Sequence, residues 1–505
     1  MIAAAAVFSD NMVLQRGKCV RIFGTCSEDC GNITVTVPEL DVSAEGYADG
    51  GKWEAVLPPM KACGKCSVVI ECGGGKIIFE NVAVGEVWLA GGQSNMEFEL
   101  QNDKNGKQAL EEISAENIRF YYTPKCEMND GELLRAEQNS GWRLPGKESA
   151  KCWSAVGSYF AAELSRRLGV TVGIIGCNWG GTSASAWMDR EYLLRDKRLA
   201  VYLDEYDAAT DGKTDEQMIA EYDEYTAYHE AWQKRLEKCY AEKPDIKWAE
   251  VLEICGENRY PGPAGCKNPM RPCGLYETMI SRVCPYTLAG FIYYQGESDD
   301  HRPEAYYALL SALIENWRAD WHDDELPFML VQLPMYTTED AEDTKNWAVI
   351  RRAQERVYKT VKNTGLAVAL DCGEFNNIHP TDKKPVGHRL YLQAMYHVYG
   401  DGDAMKAFPP MYRSSVVCGD SVRVSFDFCQ GFEVRGESPQ GFELAAEDGV
   451  FHAAEAETDG TDIVLRSREV SRPRLARYCW TNYSEVTLFG LNGIPVAPFD
   501  TSVKR

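Results

Sequence analysis

Between residues 83 and about 400 the chain repeats one pattern: a short apolar run, a cluster of polar residues and glycines, then a stretch with helical spacing. The apolar runs fall at 84–90, 170–176, 289–294, 328–333 and 365–370, and helical stretches such as Ser158 to Leu168 and Tyr306 to Trp317 lie between them. Strands alternating with helices predict an α/β unit built on a parallel sheet with covered faces. Open sheets of this kind bind ligands at the strand ends, which is where the polar clusters lie. Residues 1–82 read differently. Runs such as Val20-Arg21-Ile22-Phe23-Gly24, Ile33-Thr34-Val35-Thr36-Val37 and Trp53-Glu54-Ala55-Val56-Leu57 are separated by turns and predict a small all-β domain. Residues 403–505 return to β character, as in Val422 to Phe426 and Ile463 to Leu465. The predicted division is therefore 1–82, 83–402 and 403–505, with the acidic, Tyr-rich, helical segment 201–250 read as an insertion near no obvious chemistry.

Composition removes several function classes. A chain of 505 residues with 45% hydrophobic and 11% aromatic residues supports packed cores, not disorder. A net charge of −23 argues against a nucleic-acid partner. No apolar run approaches the roughly 18 residues that span a bilayer, so no membrane partner is expected. The stretch Met1 to Val7 lacks a basic n-region, and a cytoplasmic location is the expectation. The 18 cysteines are scattered, and they read as reduced thiols. Cys63-Gly64-Lys65-Cys66, with Cys26 and Cys30 nearby, has redox spacing but sits between Pro58-Pro59 and a strand, not in a βαβ context. It reads as incidental, and no metal is expected.

Four clusters carry candidate chemistry. Gly91-Gly92-Gln93-Ser94-Asn95-Met96 follows the run 84–90 and precedes a helix start. A serine at such a turn presents its hydroxyl at the sheet edge, and its own N–H can help hold an oxyanion. Asn178-Trp179-Gly180-Gly181-Thr182-Ser183 offers a second backbone donor, from Gly181 or Gly180. Gln295-Gly296-Glu297-Ser298-Asp299 offers a side-chain amide as a third. Asn376-Asn377-Ile378-His379-Pro380-Thr381-Asp382 places His379 on a loop entering a helix, where a base can face the serine. Each cluster alone is also compatible with an ordinary turn. Together they occupy successive strand ends.

In these blocks the chain resembles the bacterial sialate O-acetylesterases, SGNH-type hydrolases related to acetylxylan esterases. The likeness extends to Phe8 to Gln15, to Leu275-Tyr276-Glu277-Thr278-Met279-Ile280, to Gly441 to Ala445 and to Pro498-Phe499, so it covers nearly the whole chain. It implies a three-layer α/β/α esterase domain and an acetyl-enzyme mechanism. Ser94 would be the nucleophile and His379 the base. Ser94, Gly181 and Gln295 would form the oxyanion hole, with no cofactor. The usual aspartate three residues before the histidine is replaced by Asn376. Either Glu374 supplies the acid or a Ser–His dyad operates, and the dyad is favoured. Arg271, in a Pro-rich loop, is the candidate receptor for a substrate carboxylate. An esterase for xylan or another glycan, a non-catalytic carbohydrate-binding protein with ligand aromatics such as Trp179, Trp187 and Tyr294, and a Cys63/Cys66 oxidoreductase are the alternatives. Oligomeric state is left open.

Overall fold

Five apolar runs become parallel strands, and a sixth strand at 118–122 joins them. The computed structural model describes residues 2–27, 31–73, 75–243, 246–339 and 341–502. Its central strands are β1 (Gly75–Gly92), β2 (Ile118–Tyr122), β3 (Val172–Asn178), β4 (Gly290–Tyr294), β5 (Phe328–Gln332) and β6 (Thr364–Val368). Their order is β2-β3-β1-β4-β5-β6, all parallel. β1 is central, so its C-terminal end lies at the middle of the sheet edge.

Helices cover both faces, and the pleat shows which. The helices are α1 (Ala155–Leu168), α2 (Tyr306–Asp320), α3 (Asn346–Thr360) and α4 (Lys384–His397). Trp88 of β1 meets Phe160 of α1 edge-on at 5.1 Å between ring centroids. Residue 91 points the opposite way along the strand, and a Cβ there would lie 2.8 Å from Trp317 of α2. α1 and α2 therefore lie on opposite faces. α4 packs beside α1, and α3 beside α2. With both faces covered, β4, β5 and β6 are buried at every position, which is why they read as continuous apolar runs.

The N-terminal strands Ile2–Ala4, Val20–Cys26, Lys52–Leu57, Val42–Asp49, Ile33–Val37 and Cys63–Cys72 pair antiparallel in that order, and the last pairs with β1. β1 is thus one strand with two lives. Its first residues are half exposed, and from Val82 onward it is buried throughout. The boundary drawn at 82/83 falls inside it. The C-terminal part carries two four-stranded sheets and one two-stranded sheet. Between β3 and β4 rise helices Lys197–Thr210, Asp215–Glu242 and Trp248–Cys255, and Trp232, Cys239, Val251 and Cys255 form a small core of their own there.

Cys63 and Cys66 open an antiparallel strand and are free thiols, and burial pushes Cys66 up to about 12. Cys30 lies outside the described residues. No helix among the described residues is long and apolar enough to cross a membrane.

Candidate active site

The chain turns at the end of β1 because only glycine fits there. A Cβ on Gly92 would lie 2.1 Å from the Tyr294 carbonyl oxygen, and its φ is 134°. The Gln93 N–H donates to that carbonyl (3.1 Å). Gln93 Oε1 accepts from the N–H groups of Gly296 (3.3 Å) and Ser298 (3.2 Å). The turns after β1 and β4 are thereby fastened together. The helix expected to begin here is confined to the single turn Ser94–Glu97. So short a turn has little macrodipole.

Asn95, fully buried, connects the serine to the histidine loop. Its Nδ2 donates to Glu297 Oε1 (2.7 Å) and to the carbonyl of Ile378 (3.0 Å), and its Oδ1 accepts from Lys383 Nζ. Residues 94 and 379 each adjoin one end of this link. Burial pushes the Glu297 carboxyl up to about 6 and draws the Lys383 ammonium down to about 8. Glu297 Oε2 is buried with no hydrogen-bond partner among the described residues.

His379 is held through its backbone, whose N–H donates to Asn377 Oδ1 (3.0 Å). Its pKa is lowered by burial and by the nearby Lys383 charge, and Glu97 opposes the shift. The imidazole is therefore neutral, and fit to accept a proton, to lower pH than an ordinary histidine.

Glu374 does not meet the expectation of a triad acid. Its Oε1 accepts from the Thr381 N–H (2.7 Å) and Oγ1 (2.8 Å), and its Oε2 accepts from Asn377 Nδ2 (2.7 Å). The carboxylate clips the loop shut and makes no hydrogen bond to the imidazole. Asn376, where the family's aspartate would stand, has φ 59° and accepts from the Glu339 N–H (3.4 Å).

Gln295, expected as a third oxyanion donor, is hydrogen-bonded within the protein. Its Nε2 donates to the Thr182 carbonyl (3.2 Å) and to Asp299 Oδ2 (2.6 Å), and Tyr306 donates to its Oε1 (2.9 Å). Turning the amide over would set oxygen against two acceptors, so this orientation is fixed. Its amide donates to the loop after β3 through Thr182 and to its own loop through Asp299. Of the two glycines, Gly180 spends its N–H on Glu97 Oε2 (2.6 Å). Gly181, with φ 76°, keeps an N–H that makes no bond among the described residues, as does Ser94. A Cβ on Gly180 would lie 3.3 Å from the Ser94 Cβ, so this loop lies directly against the serine.

The start of the segment 201–250, read as an insertion near no obvious chemistry, lines a cavity that Gly181 also lines. A cavity of about 490 Å³ is lined by Gly181, Tyr202, Tyr206, Tyr260, Arg271 and Arg302 among others. Tyr202 and Tyr206 come from the helix at the start of the insertion, and Tyr260 from the loop that follows it. A Cβ on Gly181 would lie 2.1 Å from the Tyr260 hydroxyl. The position must be glycine so that this ring can sit over it. Arg271 lines the cavity but is already paired, with Glu277 Oε2 (2.6 Å) and the Cys266 carbonyl (3.0 Å). Arg302 is paired with Glu205 and lies over the Tyr202 ring.

The sequence reading gave no role to Asp299, which is buried and accepts from Ser183 Oγ (2.6 Å), Ala184 N–H (3.0 Å), Tyr202 hydroxyl (3.0 Å) and Gln295 Nε2. Its signal was an acid in an otherwise buried strand-end motif. Lys383 gave none, because a lysine between Asp382 and Lys384 reads as solvated. Of the aromatics considered as a carbohydrate-binding face, Trp187 and Tyr294 are buried. No group of three or more His, Cys, Asp or Glu among the described residues could hold a metal ion.

Comparison with known proteins gives a consistent result. The family model described as a carbohydrate esterase, sialic acid-specific acetylesterase, matches residues 267–395, a span that contains Gln295, Glu297, His379 and Lys383. The mouse sialate O-acetylesterase is 26% identical over 476 residues, covering 87% of this chain and 81% of its own length. The human sialate O-acetylesterase is 27% identical over 436 residues, covering 79% of this chain and 71% of its own length. Among solved structures, a carbohydrate acetylesterase from Xanthomonas citri superposes with a TM-score of 0.77 at 28% identity, covering 99% of both chains.

Proposed function

We propose that this chain, a member of the sialate O-acetylesterase family, is a serine esterase that removes O-acetyl groups from sialic acid through an acetyl-enzyme. The observation that carries the reading is the Asn95 link, which ties the residue after Ser94 to the carbonyl of the residue before His379. Ser94 Oγ attacks the acetyl carbonyl carbon while His379 takes the hydroxyl proton. The N–H groups of Ser94 and Gly181 hold the oxyanion. As the intermediate collapses, His379 passes the proton to the departing sugar oxygen. Water then attacks the acetyl-enzyme and gives its proton to His379, which returns it to Ser94 Oγ as acetate leaves. No side chain of this chain is assigned as a triad acid, and the site runs as a Ser–His dyad. The helices on both faces of the parallel sheet support an SGNH-type three-layer domain over 83–402, with β-rich parts at 1–82 and 403–505.

A second reading is favoured by one feature. Arg271 and Arg302 are both neutralised by glutamates, which suits an uncharged acetylated glycan better than an acidic sugar. Acetate release from O-acetylated sialic acid, measured beside acetylated xylan, decides between them. Ser94→Ala, folded and purified, is expected to lose hydrolysis of both by several orders of magnitude. Retained turnover in that variant would refute the serine mechanism itself.

A further inference from the structure

Glu97 is a carboxylate that joins the helical turn of Ser94 to the Gly180-Gly181 loop, and no step above uses it. It stands three residues after Ser94, on the same turn. Its Oε2 accepts the Gly180 N–H at 2.6 Å, and its Oε1 accepts from Lys125, on the loop after β2. Lys125 in turn lies over the Trp179 ring, 5.6 Å from its centroid. Gly180 is thus pinned from below by the turn that carries the nucleophile, with Trp179 drawn to the same cation.

We propose, on the esterase reading above, that Glu97 is a positioning residue that aims the Gly181 N–H at the oxyanion. The physical reason is local. Fixing the Gly180 N–H anchors one of the two peptide planes that flank Gly180, so less of the turn is left free to swing the Gly181 N–H. Gly180 gives its hydrogen to Glu97, and Gly181, the next residue of the turn, has a φ of 76° and an N–H with no partner among the described residues. The bond is charge-assisted, and so stronger than a neutral one. Without it the Gly180-Gly181 loop keeps its place against Ser94 but loses its orientation.

The carboxylate has a second effect, on the base. The charged groups bearing on His379 are Glu97, across from it, and Lys383, on the helix that follows its loop. Glu97 favours the protonated imidazole and Lys383 opposes it. With Glu374 committed to the loop clip, the anion that stabilises the imidazolium formed during attack acts through space, from the nucleophile's own turn. Lys125 faces Glu97 and moderates this field.

The test compares Glu97→Ala, Glu97→Gln and Lys125→Met with the native chain. The readouts are kcat and KM on p-nitrophenyl acetate, and the rate at which a fluorophosphonate labels Ser94, located by peptide mass. Glu97→Ala is expected to lower kcat and the labelling rate together, on the order of 10²-fold, the scale set by loss of one oxyanion donor, with KM little changed. Glu97→Gln keeps an oxygen for Gly180 but not the charge that favours the imidazolium, and is expected to lose less of the rate than Glu97→Ala. Its acid limb in kcat/KM moves to lower pH, because the charge favouring protonated His379 is gone. Lys125→Met is expected to move that limb the opposite way, and these two variants decide the matter should Glu97→Ala fold poorly. Native rates in Glu97→Ala, a raised KM at unchanged kcat, or acid limbs that do not part in opposite directions would overturn the proposal. A native chain that labels at Ser94 yet cleaves no acetate ester would refute the functional reading alone, since the labelling comparison needs no acetyl substrate.

Discussion

Replacing Glu374 by glutamine separates a loop clip from a catalytic acid. Three hydrogen bonds enter this carboxylate, two from Thr381 and one from Asn377. Glutamine keeps one accepting oxygen and presents an NH₂ in place of the other, so either the Asn377 bond or the Thr381 pair is lost. A hydrogen bond to a charged group is worth about 1.5–3 kcal/mol. Glu374 is only partly buried, so solvent screening reduces that to about 1 kcal/mol of stability for Glu374→Gln, and roughly twice that for Glu374→Ala. The pH dependence has a definite sign. Burial raises the Glu374 pKa, but its bonds to Thr381 and Asn377 lower it more, and the net shift is downward. The clip's contribution is therefore complete above the ordinary carboxylate pKa and is lost as pH falls through the lower, folded value. Activity follows a different scale. None of the three bonds reaches the imidazole, so kcat/KM on p-nitrophenyl acetate is expected to fall by less than about tenfold, against about 10⁴-fold for removal of a true triad acid. The assay is kcat/KM across the range of histidine titration, with a thermal melt of each variant. A loss of roughly a thousandfold or more in a variant that melts like the native chain would approach triad-acid behaviour and refute the reasoning.

Other consequences can be measured directly. The acid limb of kcat/KM for the native chain should lie below the ordinary histidine value of 6.5, because burial and Lys383 both disfavour the imidazolium; a limb above it would contradict the electrostatics described. Asp299→Asn leaves four donors facing an amide, and should cost about 2–4 kcal/mol of stability together with much of the activity; unchanged melting would show that this hub is not needed. Arg271→Ala should weaken turnover of acetylated sialic acid more than that of a small neutral ester, if the Glu277 partner yields to substrate; equal loss on both would assign the arginine to structure. The cysteines should titrate in denaturant without prior reduction, and native disulfides found by mass spectrometry would refute that.

The sequence carried the central sheet well, because a strand buried on both faces writes itself as an unbroken apolar run. Strand 118–122, Ile-Arg-Phe-Tyr-Tyr, escaped notice. Its Arg119 is buried by bonding carbonyls of Asn11, Met12 and Asn81, and a local reading takes such an arginine for surface. The strand-end clusters were legible as places and less so as roles. Gln295 and Glu374 occupy the expected loops, but their hydrogen bonds are consumed by partners 113 residues away in one case and seven in the other. No local rule states which donor an amide or carboxylate will choose. The cavity contacts of the insertion were illegible for a related reason. Its tyrosines reach the cavity only because the chain returns through 260–272 to stand beside Gly181.

The strand that passes through both the N-terminal layer and the central sheet sets a limit on how this protein can be taken apart. Its 18 residues extend about 60 Å, and they end two residues before Ser94. Cutting at 82/83 would sever that rod, strip Ala83, Val84 and Gly85 of their partners Val13, Leu14 and Gln15, and strand the Tyr286 hydroxyl that donates to the Val13 carbonyl (2.6 Å). An excised catalytic fragment is therefore expected to be insoluble or inactive. Amide protons on either side of residue 82 should exchange with solvent together, as one cooperative unit whose melting releases the turn at Ser94 along with the N-terminal layer.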